Sequence, residues 1–170
     1  MRMIGLVGRS GSGKTTLIAS LLPTLRRRGL TVSTIKHAHH GFDLDRPGKD
    51  SFVHREAGAK EVMLVSDSRW ALMHEIRNAP QPALEDLVAR LAPVDLVLIE
   101  GFHTHRHAAI EVHRPSEGHD LMWREGSDII AVASDESLPA LAIPVLNLND
   151  TEAIADFVLA KAENYVPART

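Results

Sequence analysis

The sequence predicts an α/β fold: a mainly parallel sheet flanked by helices, with an antiparallel hairpin at one edge. Three observations predict it. Short apolar runs alternate with segments of helical periodicity along the chain. One run, Leu96-Val97-Leu98-Ile99, is apolar at four consecutive positions, as suits a strand covered on both faces. Between the first apolar run and the first helical segment stands Gly8-Arg9-Ser10-Gly11-Ser12-Gly13-Lys14-Thr15, a match to G-x-x-x-x-G-K-[ST].

That loop is the centre of the reading. Its glycines let backbone N–H groups crowd round an anion, Lys14 can bridge a nucleotide's outer phosphates, and the Thr15 hydroxyl can ligate Mg²⁺. The helix that follows points its positive dipole end at the same anion. Chance places such a pattern in a chain this long roughly once in 200. The strand–loop–helix context separates it further from a Gly/Ser turn that merely caps a helix. The type expected is therefore the P-loop nucleotide-binding fold.

Met3 to Val7 is the first strand. The first helix is expected over Lys14 to Arg28, with Leu17, Ile18, Leu21, Leu22 and Leu25 on one face and a kink at Pro23. Arg26-Arg27-Arg28 followed by Gly29 is a stop signal; the triplet reads as a solvated helix end or as an anion- or partner-binding patch. Leu30 to Ile35 is a second, β-branched strand. From Lys36 to Ser51 runs a polar loop rich in titratable groups, and loops at the carboxyl ends of such strands face the ligand. Asp50-Ser51 is placed to cap a short helix through Ala57.

Glu61 to Ser66 and Trp70 to Ile76 form the hairpin, joined by Asp67-Ser68-Arg69. Ala83 to Leu91 is a helix. Leu96 to Glu100 ends on a carboxylate followed by Gly101. After a secure phosphate loop, that acid is a candidate for the Mg²⁺ side of the site; by itself it is also compatible with a plain core strand. In Ala108 to His113, apolar Ile110 and Val112 alternate with Glu111 and His113, predicting one buried face. Ile129 to Ala133 and Pro144 to Leu148 are the last strands, and Thr151 to Ala162 the last helix. No repeat or linker divides the chain, so one domain over 1–166 with a frayed tail at 167–170 is expected.

Composition narrows the classes. The net charge is −3 and aromatics are 4%, which argues against a nucleic-acid partner. Cysteine is absent, excluding disulfides and thiolate zinc sites. No apolar run approaches a membrane span, and the N-terminus runs straight into a strand, so a cytoplasmic location is expected.

The combination of GRSGSGKTTL, TIKHAHHGFDLDRPGKDS, REAGA at 55–59 and DLVLIEGF at 95–102 resembles the MobB family, adaptor proteins of molybdopterin guanine dinucleotide biosynthesis. The likeness runs from Met3 to about Asp150, and the second block is its most specific part. It implies a GTP-binding protein, at most a slow hydrolase, which with Mg²⁺ assists a MobA-type guanylyltransferase in attaching GMP to molybdopterin. It also implies a homodimer, with molybdopterin itself a further candidate partner. By motif position, Gly11, Ser12, Gly13, Lys14, Thr15 and Thr16 hold phosphate, within a loop framed by Gly8, Arg9 and Ser10. Thr15 and Glu100 serve the metal; Lys14, Glu100, Asp43 and Asp45 make up the hydrolytic set, the two aspartates on the γ-phosphate side. Lys36, His37, Lys49 and Asp50 belong to the specific block without an assigned role. One departure stands out: where the family pattern has a lysine after Glu100-Gly101-Phe102, this chain has His103-Thr104-His105-Arg106-His107, making any anion contact there pH-dependent.

Guanine recognition has no N-K-x-D motif to rest on. Asp135, after the Ile129 strand, is one candidate, because a carboxylate accepts from both N1–H and N2–H₂ of guanine. Asn147 to Asp150 is another, with Asp150 equally placed to cap the last helix. Of the ten histidines, six cluster at His37, His39, His40 and at His103, His105, His107, and these read as a metal site, as anion contacts or as ordinary surface. Two other classes stay in view. One is a small-molecule kinase, with Arg114 and Arg124 flanking a short lid at 115–120. The other is a GTPase that delivers nickel or zinc.

Overall fold

The computed structural model describes residues 1–38, 44–102, 107–124 and 127–165. The chain forms two compact units, one of Met1–His37 with Leu84–Thr170 and one of Ala38–Ala83.

The first unit carries the phosphate loop. Its strands are β1 (Arg2–Val7), β2 (Val32–Lys36), β5 (Leu96–Glu100), β6 (Ala109–His113), β7 (Ile129–Ser134), β8 (Val145–Asn147) and β9 (Glu163–Asn164); its helices are α1 (Lys14–Arg27), α3 (Leu84–Val88) and α4 (Thr151–Lys161). The sheet order is β2-β5-β1-β6-β7-β8, parallel at every one of these pairings. β9, absent from the sequence-based expectation, pairs antiparallel with Arg2 and Met3 of β1.

Strand alternation divides the core between the two faces. On one, Leu96 and Leu98 of β5 join Ile4 and Leu6 of β1 and the buried stripe of α1, and Ile154, Ala155 and Val158 of α4 complete the cluster. On the other, Val97 and Ile99 pack with Leu84 and Val88 of α3 and with Phe102. The four buried leucine and isoleucine side chains of α1 (Leu17, Ile18, Leu21, Leu25) are worth about 6–12 kcal/mol in gross transfer terms. That outweighs the bond lost at Pro23, through which the helix continues to Arg27. Gly29, at φ 79°, ends it in a left-handed turn. There its N–H donates to Arg26 O at 3.0 Å and Leu30 N–H to Leu25 O at 3.2 Å, the Schellman pair. Of the arginine triplet, Arg27 and Arg28 reach across to Glu152 at 2.9 and 2.5 Å, and Arg28 also to Asp156 at 2.6 Å. The helix end is thus strapped to α4.

β6 corrects the expectation of one buried face. It runs between β1 and β7, and all five of its residues are buried, Glu111 at 1% exposure among them. The carboxylate is satisfied by the main chain: Met122 N–H donates to Oε1 at 2.7 Å and Trp123 N–H to Oε2 at 2.8 Å. Alternation that read as half-exposure is a central strand with an internal acceptor.

The second unit holds α2 (Asp50–Glu56) and a hairpin of β3 (Glu61–Val65) and β4 (Trp70–His74). Ser66 closes the turn, its N–H and hydroxyl donating to Arg69 O at 2.9 and 3.0 Å. The hairpin is present as expected, but as a two-stranded sheet of its own rather than as an extension of the parallel sheet's edge. Turn residues encode local pairing; attachment to another sheet needs a long-range register that they do not carry. Among the described residues, Val65 and Trp70, directly paired across the two strands, are 73% and 67% exposed, and Met63 opposite Leu72 continues the same face. The expected tail, 167–170, lies outside the described residues.

Candidate functional site

The loop from Gly8 to Gly13 hangs between the buried end of β1 and the first turn of α1. Gly8 is required sterically: at φ 148°, a Cβ there would stand 2.4 Å from Val112 O. Gly13 caps α1 at φ 96°, with the Arg114 guanidinium packed on its open side, Nε 3.3 Å from where a Cβ would be. Ser12 is buried in the loop, while Arg9, Ser10, Thr15 and Thr16 remain exposed. The loop, the first turn of α1, Lys36 and Glu100 enclose a cavity of about 350 Å³. Its size and its floor of N–H groups at a helix start suit a polyphosphate.

Lys14 Nζ donates to Gly8 O at 2.9 Å and Arg9 O at 2.8 Å, so the loop's own carbonyls aim the ammonium. Burial holds its pKa below the ordinary 10.5, with Lys36 adding to the depression and Glu100 opposing it. Glu100 arrives from the carboxyl end of β5, and Thr15 Oγ1 donates to its Oε1 at 2.9 Å. A hydroxyl and a carboxylate are the hard oxygen donors Mg²⁺ takes. Their spacing matches the edge of an octahedron with bonds of about 2.0–2.1 Å. The donor set fits the ion, which when bound would neutralise charge on the outer phosphates.

The two aspartates expected on the γ-phosphate side stand differently. Asp43 lies outside the described residues. Asp45 belongs to the second unit, where Arg55 Nη2 donates to its Oδ1 at 3.0 Å and Arg55 also reaches Glu75 at 3.4 Å. Its side chain is almost wholly enclosed, a placement that gives it a structural partner. Within the first unit the structure brings together Gly8 to Thr16 and Glu100; within the second, Asp45 is ion-paired with Arg55.

Both guanine candidates border one other cavity of about 320 Å³, lined by Ser134 to Ser137 and by Asn147 and Asn149. Asp135 is ion-paired there with Arg114, the same arginine that covers Gly13, while its Oδ1 is buried without a hydrogen-bond partner among the described residues. Asp150 is the α4 cap, accepting from Ala153 N–H at 3.0 Å, and Asn147 Oδ1 accepts from Asn149 N–H at 2.9 Å.

Of the histidine clusters, His39, His40, His103 and His105 lie outside the described residues. His37 packs on Phe102 with ring centroids 4.6 Å apart, and His107 is buried over Gly5, where a Cβ would meet its Nε2 at 2.5 Å. No group of three or more metal-ligating side chains occurs among the described residues. The lid expected of a kinase is, over its described part, a single 3-10 turn at Pro115–Glu117, with Glu117 beside Gly11. Sequence reasoning placed Lys36 on the ligand side without a role; its part gains meaning from the register that sets it beside Glu100.

A parallel sheet with a glycine-rich loop at the carboxyl end of its central strand, a following helix, and a carboxylate from the neighbouring strand define a P-loop-type α/β protein. Within that class, the model of the family described as molybdopterin guanine dinucleotide synthesis protein B matches residues 3–135, and the chain belongs to that family. It is 41% identical to the molybdopterin-guanine dinucleotide biosynthesis adapter protein of Escherichia coli (strain K12), over 92% of this chain and 91% of that one. The Haemophilus influenzae adapter protein is 39% identical over 92% and 86%. Among solved structures, a MobB protein homolog from Bacillus stearothermophilus superposes with a TM-score of 0.66 at 27% identity, covering 94% of this chain and 97% of that one.

Proposed function

We propose that this chain is a GTP-binding adaptor that assists a MobA-type guanylyltransferase in attaching GMP to molybdopterin. In this reading the phosphates lie on the loop from Gly8 to Thr16, and Mg²⁺ is held by Thr15 and Glu100. Lys14 neutralises charge on the outer phosphates, and slow GTP hydrolysis is the most that positioning by these groups supports. The hydrolytic set in this reading is Lys14 and Glu100, with Asp43 and Asp45 as further candidates on the γ-phosphate side, Asp45 being ion-paired with Arg55. The second cavity, with Asp135 at its wall, is the place for guanine.

The observation that carries the reading is the Thr15–Glu100 contact at 2.9 Å beside the phosphate-loop cavity. The relatives named as adapter proteins supply the pathway. No described helix is long and apolar enough to cross a membrane, which is compatible with a cytoplasmic adaptor. The exposed Val65–Trp70 face of the hairpin supports a homodimer, because a patch of that kind on one chain suits a second copy.

Calorimetric titration with GTP and with ATP, each with Mg²⁺, tests the base. A GTP preference of about tenfold, or 1.4 kcal/mol, is expected. Equal affinities would move this chain toward the small-molecule kinases, and failure to retain a purified guanylyltransferase in a co-sedimentation assay would remove the adaptor role.

A further inference from the structure

Lys36 is the last residue of β2, the strand beside β5, and the parallel register sets it opposite Glu100. Its Nζ lies 3.1 Å from Glu100 Oε1 and donates to Thr15 Oγ1 at 3.3 Å. That carboxylate oxygen is also the one that accepts the Thr15 hydroxyl. One ammonium therefore rests on both oxygens assigned above to Mg²⁺, where a cation belongs.

An ammonium and a dication cannot share this seat. Repulsion between a single and a double positive charge about 4 Å apart exceeds a tenfold change in affinity even at the dielectric constant of water. Lys36 can leave: its side chain is 59% exposed, against 11% for Glu100, and ends a flexible four-carbon stem. It also lines the phosphate-loop cavity, so a bound polyphosphate is the anion within its reach once Glu100 is given up.

We propose that Lys36 is an exchangeable placeholder for the divalent cation, resting on Thr15 and Glu100 until a nucleotide's phosphates draw it away and Mg²⁺ takes its seat. Binding is thereby ordered. Free divalent ions are held off, and the metal enters with the nucleotide or after it. The inference rests on the assignment of Thr15 and Glu100 as the Mg²⁺ ligands.

The test is Mn²⁺ binding followed by electron paramagnetic resonance, without nucleotide and with a non-hydrolysable GTP analogue. The variants are Lys36→Met, Glu100→Gln, and Lys161→Met, which removes the same charge at the far end of α4. Without nucleotide, Lys36→Met is expected to bind Mn²⁺ about tenfold more tightly than wild type. Lys161→Met should stay within about twofold. With the analogue and no metal, Lys36→Met should bind nucleotide several-fold more weakly, having lost a phosphate cation. If Lys36→Met takes up Mn²⁺ no better than Lys161→Met, or keeps full metal-free nucleotide affinity, the placeholder is refuted while the metal site stands. If wild type with the analogue takes up no Mn²⁺, or Glu100→Gln takes up as much, the ligand assignment itself fails and the placeholder falls with it.

Discussion

Replacing Glu111 tests whether a buried carboxylate in β6 holds the chain that follows the Arg114 turn. Both its oxygens are committed, to Met122 N–H at 2.7 Å and to Trp123 N–H at 2.8 Å. Hydrogen bonds to a charged acceptor contribute about 1.5–3 kcal/mol each, so the pair amounts to about 3–6 kcal/mol before non-additivity. Glu111→Gln keeps the shape and one acceptor, and turns an NH₂ group toward the other N–H. It also removes a buried charge, whose desolvation opposes folding. The net expectation is a loss of about 2–4 kcal/mol, or roughly 5–15 °C in Tm for a chain of this size. Urea unfolding would be followed by Trp123 fluorescence in a Trp70→Phe background, with exchange of the Met122 and Trp123 amides measured alongside. Those two amides should lose protection first. A Gln variant within about 0.5 kcal/mol of wild type, with both amides still protected, would refute the assigned role.

Lys14→Ala should weaken nucleotide binding about 30-fold or more, since a charge-assisted contact to phosphate is lost; unchanged affinity by calorimetry would remove the loop from the site. Gly5→Ala would force a methyl to 2.5 Å from Nε2 of buried His107. A cost of about 1–3 kcal/mol in urea unfolding is expected, and none would mean that the ring moves freely. Glu152 is held below its ordinary 4.5 by the hydrogen bond from Arg28. Its contribution is therefore complete above that value and disappears as pH falls through the lower folded one. Glu152→Gln should flatten this part of the acid-unfolding curve, and high salt should do the same to wild type. If the proposed homodimer forms on the hairpin face, Trp70→Lys should shift sedimentation from dimer to monomer while sparing nucleotide binding; an unchanged sedimentation coefficient would refute that contact.

The phosphate loop and the strand before it were legible because their chemistry is local. The residue types of the loop announce the anion on their own, whereas the collision of a Gly8 Cβ with Val112 O is a long-range contact. β5 was legible for a different reason: burial on both faces leaves an unbroken apolar run. β6 has the same burial and was misread, since Glu111 satisfies its charge through main-chain donors that lie 11 and 12 residues further on. β9 left no trace in the pattern, because two polar residues, Glu163 and Asn164, form it by pairing with β1 through the main chain. The part of Lys36 depends on parallel register, which no single segment contains. Asp150, open between capping and base contact, is a cap because α4 begins at the very next residue. Asp45 is expected on the γ-phosphate side by family resemblance alone, and its ion pair with Arg55, ten residues on, had no signal in the sequence.

The division of one side of β1 between two partners has a consequence for assembly. β6 pairs with Gly5 to Val7, and β9 fills the remaining length at Arg2 and Met3, where Tyr165 N–H also donates to Met1 O at 2.9 Å. The C-terminal strand is thus an internal plug in a slot at the middle of the sheet. Cutting it away would open a short row of main-chain donors and acceptors beside the strand that bears the phosphate loop, the kind of edge another chain's strand completes. Forms shortened to remove β9 would tend to associate strand to strand.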